Sequence, residues 1–416
     1  MSTRIELREA CAKALNGLSR EELLTRFSIS RVAYLSGLDC IGLPVYTAVR
    51  PLSQTVSIHS GKGLERDAAR AGAIAEAIEL EVAEHPFGDY IMAKPSQIKE
   101  EDRLPLEDCF PVRASIVNEA TLLPWEKMTN IQNGTPKLVP SDLVWIVQRI
   151  KNHPLLYFQI GSNGLASGAS LEDAILSGLY EIVERDGWTL SLYLMDYVGI
   201  LPKRVPLVNL PAHLESIVRH LKTNKLKLHV FDVTTDYQVP VFTATILDLS
   251  GECSGTFSGY GAHLDAETAM TRAICEAVQG RVCYISGARD DLLRRQFLLM
   301  KRLDQQKMDE MYMDLPLGSS LSEYRKLTFP DVKTELRYLL KLLKSRGVSD
   351  VFVKDMGAHV DDALHIVRVF SPQCEPHRFD FWTPTLRCLS YAQRKMNELS
   401  QQGNASDLQE EDRWRS

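Results

Sequence analysis

No apolar run in the chain approaches the roughly 20 residues that cross a bilayer. Glu6, Glu9 and Lys13 interrupt the first apolar stretch, so it lacks the continuous hydrophobic region of a signal peptide. An excess of positive charge is missing too. With 48 Lys and Arg against 54 Asp and Glu, the net charge of -6 leaves neither a nucleic-acid footprint nor a polybasic membrane anchor. The eight cysteines (Cys11, Cys40, Cys109, Cys253, Cys275, Cys283, Cys374, Cys388) show no Cys-x-x-Cys and no zinc spacing, which fits reduced thiols in a cytoplasmic protein. The histidines form no His-x-x-x-His pattern, and Gly161-Ser162-Asn163-Gly164 lacks the Gly-x-Ser-x-Gly elbow.

What is present is a threefold repeat. Gly61-Lys62-Gly63 leads to Glu76 and Glu79, Asn163 to Gly168 leads to Glu181 and Glu184, and Gly259 to His263 leads to Glu276 and Gln279. Gly63, Gly168 and His263 each stand thirteen residues before the first Glu of their copy. Each copy then has an acid (Asp67, Glu172, Glu267), an alanine (Ala69, Ala174, Ala269) and a second small residue (Ala73, Gly178, Ala273) at matching positions.

The glycine segments read as turns, each followed by a helix: Glu65 to Glu84, Leu171 to Leu194 and Ala266 to Ser286, all without an internal proline. Strands are expected at Arg31 to Tyr34, Val45 to Arg50 and Thr55 to Ile58. A helix-strand-strand unit occurs twice, over Leu214 to Leu249 and over Leu336 to Phe370, which points to an α+β body. Residues 1–30 read as a helical lead-in to a domain over 31–391, 293–334 as a charged, exposed helical insertion, and 392–416 as a polar, disordered tail.

A Glu-x-x-Glu spacing puts both carboxylates on one helical face. A single occurrence is usually a solvated face. Three copies in register on faces lined by small residues need a compensating cation, because unpaired charges there are costly. Oxygen ligands suit Mg²⁺ with phosphates better than zinc, and Lys62, Arg185, Arg272 and Arg281 supply groups suited to phosphate oxygens. Gly61-Lys62-Gly63 lacks the Walker spacing and gains weight as a phosphate turn only from the helix behind it.

These segments resemble the YcaO family: Gly37-Leu38-Asp39 with Ile41-Gly42-Leu43-Pro44-Val45, Gly61-Lys62-Gly63, Glu76-Ala77-Ile78-Glu79, Ser162 to Gly168, Glu181 to Asp186, Glu276 to Arg281, and Ser286 to Leu292. The resemblance implies a YcaO-like fold around a central nucleotide site, and an enzyme that uses ATP and Mg²⁺ to O-phosphorylate a backbone amide of a peptide as a nucleophile adds to the amide carbon. It further implies Glu76, Glu79, Glu181 and Glu184 as Mg²⁺ ligands, with Lys62, Arg185, Glu276, Gln279 and Arg281 holding the nucleotide.

Two departures from the family pattern bear on function. The first helix has Gly72 and Leu80 where the second has Ser177 and Arg185, so it lacks a hydroxyl and a guanidinium. The chain ends in Asp412-Arg413-Trp414-Arg415-Ser416 rather than a proline-rich tail. That ending favours thioamide formation with a TfuA-like partner over azoline-forming cyclodehydration; a ubiquitin-activating-like partner and a homodimer are further expectations. A non-catalytic peptide-binding scaffold and a two-metal hydrolase remain alternatives from other classes.

Overall fold

The computed structural model describes residues 4–112, 117–149, 157–251, 255–290, 304–377 and 382–401. Helices α1 (Arg4–Gly17) and α2 (Arg20–Phe27) lead into an antiparallel sheet of β1 (Arg31–Tyr34), β2 (Val45–Val49) and β3 (Ile58–Lys62), and β3 passes directly into α3 (Arg66–Ala83). Then come β4 (Ile91–Ala93), β5 (Leu123–Asn130), β6 (Pro136–Pro140), β7 (Leu165–Gly168) and α4 (Leu171–Tyr193). A second run holds β8 (Lys203–Arg204), α5 (Ala212–Thr223), β9 (Leu226–Asp232), β10 (Val241–Asp248), β11 (Thr256–Ala262) and α6 (Ala266–Ser286). The last contains α7 (Gln305–Met313), α8 (Val332–Ser345), β12 (Phe352–His359), β13 (Leu364–Phe370) and α9 (Leu386–Gln401).

Three units of the same design emerge. Each is an antiparallel ladder whose end strand precedes a long helix: β1-β2-β3 with α3, β9-β10-β11 with α6, and β12-β13-β7 with α4. The third unit is split, since β7 and α4 precede the strands that complete their ladder. In two units the middle strand opens alike, at Pro44-Val45-Tyr46-Thr47-Ala48 and Pro240-Val241-Phe242-Thr243-Ala244. In both, the proline carbonyl accepts the N–H that closes the end strand, from Gly63 at 3.3 Å and from His263 at 3.1 Å. Each helix packs on its own end strand and on that of another unit: α3 on β7, α4 on β11, α6 on β3. The contacts thereby close into a ring.

The glycine segments are mostly strand, with only Asn163-Gly164 keeping the expected turn. A Cβ on Gly61 would lie 2.0 Å from the Ala69 carbonyl oxygen, one on Gly168 2.2 Å from the Ala174 nitrogen, and one on Gly261 2.1 Å from the Ala269 carbonyl oxygen. The repeated glycines and the fully buried alanines opposite them are therefore one feature: helix and strand backbones nearly touch. This corrects the third strand, expected at Thr55 to Ile58, to Ile58–Lys62, which takes in Gly61 and Lys62 and leaves Gly63 just beyond it.

Elsewhere the α+β expectation holds. The N-terminal helices are part of the main body, with Leu15, Leu23 and Phe27 in the same core as Trp125 and Trp145. Of the expected exposed insertion, residues 291–303 lie outside the described part, and α7 is packed rather than exposed: Asp309 meets the buried His229 of β9 at 2.6 Å, and Tyr312 stands edge-on to Phe231. Helix α9 continues ordered structure to Gln401, nine residues past the expected start of the tail at 392; residues 402–416 lie outside the described part. Among the described residues, no helix is long and apolar enough to cross a membrane.

Candidate functional site

The ring brings the repeated acids of α3, α4 and α6 to one place. Lys62, at the end of β3, reaches across a unit boundary to Glu276 of α6, Nζ to Oε2 at 3.0 Å. It also lies within electrostatic reach of Glu184 and Glu76. Gln279, one turn beyond Glu276, donates to the Ser60 carbonyl at 3.4 Å and so fixes α6 against β3. Arg185 lies 3.6 Å from Glu184 Oε1 and 5.8 Å from the centre of the Tyr260 ring.

Electrostatics divides the acids into two sets. Burial pushes the Glu76 and Glu181 carboxyls up to about 7, and burial together with Glu181 and Glu76 takes Glu79 well above its ordinary range. Glu184 is raised as well, again by burial. Glu276 goes the other way: burial opposes its charge, but Lys62 and Arg185 outweigh it and hold the carboxylate ionised. Four acids thus lack sufficient countercharge, while the fifth is neutralised by the protein.

Among the described residues, no three His, Cys, Asp or Glu side chains approach closely enough to form a metal cage. Glu76, Glu79, Glu181 and Glu184 share one site without forming a preassembled cluster. That fits Mg²⁺ brought in with phosphates, because this ion keeps several waters and takes one or two carboxylates beside phosphate oxygens. Dispersed, undercompensated carboxylates suit such an ion. A closed zinc site would need ligands already in contact.

Positive groups border the acids. Arg272 donates to the Ala262 carbonyl at 3.2 Å; its pKa is lowered to about 10 by burial and by neighbouring Arg8 and Arg4. Arg8 also donates to the Ser177 hydroxyl at 3.1 Å. Guanidinium groups gathered in this way suit a polyanion. On the aromatic side, Trp188 stacks on His377 at 4.5 Å and tilts against Tyr260 at 4.9 Å.

Arg281 stands apart from the nucleotide-holding role implied by the resemblance. Its Nε lies 3.1 Å from each carboxylate oxygen of Asp39, and Nη1 lies 2.9 Å from Asp248, all nearly buried. The guanidinium pins the Asp39 loop to β10 and is committed to those carboxylates.

Sequence reasoning missed Arg368, Arg289 and the α1 clamp. Arg368 of β13 is fully buried, donates to the carbonyls of Val144, Asn163 and Gly161 at 2.8–2.9 Å, and acts electrostatically on Glu79 and Glu181. Carbonyls satisfy its N–H groups without cancelling its charge. Arg289 acts on Glu76 and offers the first helix a cation that Leu80 cannot. Arg4 ties α1 to α4, α8 and the end of β11, at 2.8 Å from Asp173, 3.1 Å from Glu335 and 3.3 Å from His263. None of these residues has a local sequence signal.

Residues 60–375 match the family described as YcaO cyclodehydratase, ATP- and Mg²⁺-binding. The chain belongs to the YcaO family. A protein from the tfuA 3′ region of Rhizobium leguminosarum bv. trifolii is 31% identical over 371 residues, covering 85% of each chain. The Escherichia coli ribosomal protein S12 methylthiotransferase accessory factor YcaO is 27% identical across 53% of this chain and 40% of its own length. Among solved structures, the YcaO of Methanopyrus kandleri bound with AMPPCP and Mg²⁺ superposes with a TM-score of 0.67 at 21% identity, covering 88% of this chain and 91% of that one. A heterocyclase in complex with substrate and cofactor gives a TM-score of 0.68 at 21% identity, over 86% of this chain. The present chain spans about half the length of that heterocyclase, 52%. Both superpositions show the shared YcaO fold, and ATP and Mg²⁺ are the cofactors of this family member.

Proposed function

We propose that this YcaO protein activates a backbone amide of a ribosomally made peptide or protein by O-phosphorylation, and that the product is a thioamide made with a TfuA-like partner. The observation that carries the activation step is the ring itself: four undercompensated glutamates from α3 and α4 face a neutralised Glu276 and a basic border. Bound ATP with Mg²⁺ supplies the phosphoryl group and the Lewis acidity. Glu76, Glu79, Glu181 and Glu184 would hold the metal. Lys62, Arg185, Glu276 and Gln279 would hold the nucleotide, joined by Arg272. The protein's work is positioning and charge neutralisation.

The thioamide reading draws support from the relative named for its place beside tfuA. Azoline formation is the second reading, favoured by the heterocyclase likeness. Purified protein is incubated with ATP, Mg²⁺, a sulfide source and candidate peptides, with and without a TfuA-like protein, and peptide mass and phosphate release are followed. Exchange of one oxygen for sulfur supports the thioamide; loss of one water supports the azoline. Absence of Mg²⁺-dependent nucleotide binding, with the partner present, overturns both readings.

A further inference from the structure

A cavity of about 710 Å³ is lined by Pro376, the residue before His377. Its sides come from the segment around Phe110 to Val112, from Gln159 and Ile160, and from the chain after β13, including Pro376, Trp382 and Leu389. We propose that this groove seats the substrate as an extended peptide, with an apolar stretch along the walls and a cationic residue at the Glu107–Asp108 end. The inference rests on the peptide-modifying reading above and assigns the place where that substrate lies.

Continuity with the site comes first. Pro376 lines the groove, and the next residue, His377, stacks on Trp188, three residues from Arg185 on α4. The Gln159 side chain, on the opposite wall, donates to the His377 carbonyl at 2.9 Å. An occupant of the groove would therefore lie one residue away from the imidazole that Arg185 and Glu276 act upon.

The second argument is charge. Arg387 is the basic residue among those lining the groove, and its charge is committed elsewhere: 2.9 Å from Asp186, 2.6 Å from Asp236, and over the Tyr237 ring. Glu107 and Asp108 form no ion pair among the described residues, and Asp350 adds to the field at Asp108. A cation is the complement this end offers.

Rigidity is the third. Prolines 111, 372, 376 and 384 stiffen the walls, and Glu375 anchors the wall after β13 by accepting from the Trp382 indole at 3.0 Å and the Thr385 N–H at 3.2 Å. Preformed walls bind an extended peptide with little ordering cost. The volume falls within the range typical of ligand cavities, about 300–1,000 Å³.

The test uses the full chain and two fluorescein-labelled octapeptides of alternating valine and glycine, one ending in lysine and the other in glutamate, followed by anisotropy with ATP and Mg²⁺ present. The lysine peptide is expected to bind at least tenfold tighter than the glutamate one. Leu389→Arg should abolish its binding, and the pair Glu107→Lys with Asp108→Lys should reverse the preference. Nucleotide affinity, measured by calorimetry on the same proteins, should stay within twofold. Equal binding of the two peptides, or binding indifferent to Leu389→Arg, overturns the groove assignment while intact nucleotide binding leaves the peptide-modifying reading standing. Loss of nucleotide binding in the unaltered protein refutes that reading instead. Displacement of the probe by a synthetic peptide matching residues 402–416 would make the chain's own tail the occupant and overturn the proposal.

Discussion

Lys62 and Glu276 meet at 3.0 Å although they belong to different units, one at the end of β3 and the other midway along α6. About a third of the Lys62 side chain and a quarter of that of Glu276 remain exposed, at 31% and 26%. The pair is a joint between units that still faces the site. Lys62→Met is expected to lower ATP·Mg²⁺ affinity at least tenfold, a change of about 1.4 kcal/mol. Isothermal calorimetry on wild type and variant checks this, and an unchanged affinity would remove Lys62 from the nucleotide-holding set.

Glu181→Gln should separate binding from folding. Burial already disfavours the Glu181 charge, so removing it relieves the fold while taking a ligand from the metal. The expected result is loss of Mg²⁺-dependent nucleotide binding with a thermal midpoint equal to or above that of wild type. A folded variant that binds as before would refute the ligand assignment.

Gly259 on β11 and Gly280 on α6, close together in the fold, should respond oppositely to alanine. At Gly259 the added Cβ would stand 2.2 Å from the Ala277 nitrogen, so Gly259→Ala must push α6 off its strand at a cost of about 1–3 kcal/mol or more. Gly280, exposed on α6, meets only the Ser258 carbonyl at 3.8 Å, and Gly280→Ala should stabilise by about 0.8–1 kcal/mol through helix propensity. Urea denaturation of both variants measures the contrast.

The α1 clamp should fail in acid. Burial would raise the carboxyls of Asp173 and Glu335, but Arg8 and Arg4 for the first, and His263 and Arg4 for the second, hold each down to about 2. Their unfolded values lie near 4. A depressed folded pKa contributes stability that is complete above about pH 4 and is lost as pH falls toward about 2. Arg4→Met is therefore expected to destabilise at neutral pH, with the difference from wild type shrinking between about pH 4 and pH 2; chemical denaturation across that range checks the slope.

The helices were legible because composition and proline placement bound them, and α6 begins and ends at the residues the sequence indicates. That Glu76, Glu79, Glu181, Glu184 and Glu276 come together was legible because a spacing repeated three times is hard to produce by surface chance. Glycine misled at Gly61, where its role is a backbone contact with Ala69 rather than a turn; both uses leave the same letter in the sequence. Arg281 looked available because its partners, Asp39 and Asp248, lie far away in sequence. Arg368 was invisible for the complementary reason: it is held by carbonyls, which every residue carries.

The split third unit sets the order in which the protein can be completed. β7 ends at Gly168, while its ladder partner β13 spans Leu364–Phe370. At synthesis rates of about 5–20 residues per second, the ribosome needs roughly 10–40 s to make the intervening chain. For that interval β7 has no β13 to pair with, and an unpaired strand edge invites association with other chains. Of the three units, the one built on α4 is therefore the last that the growing chain can close.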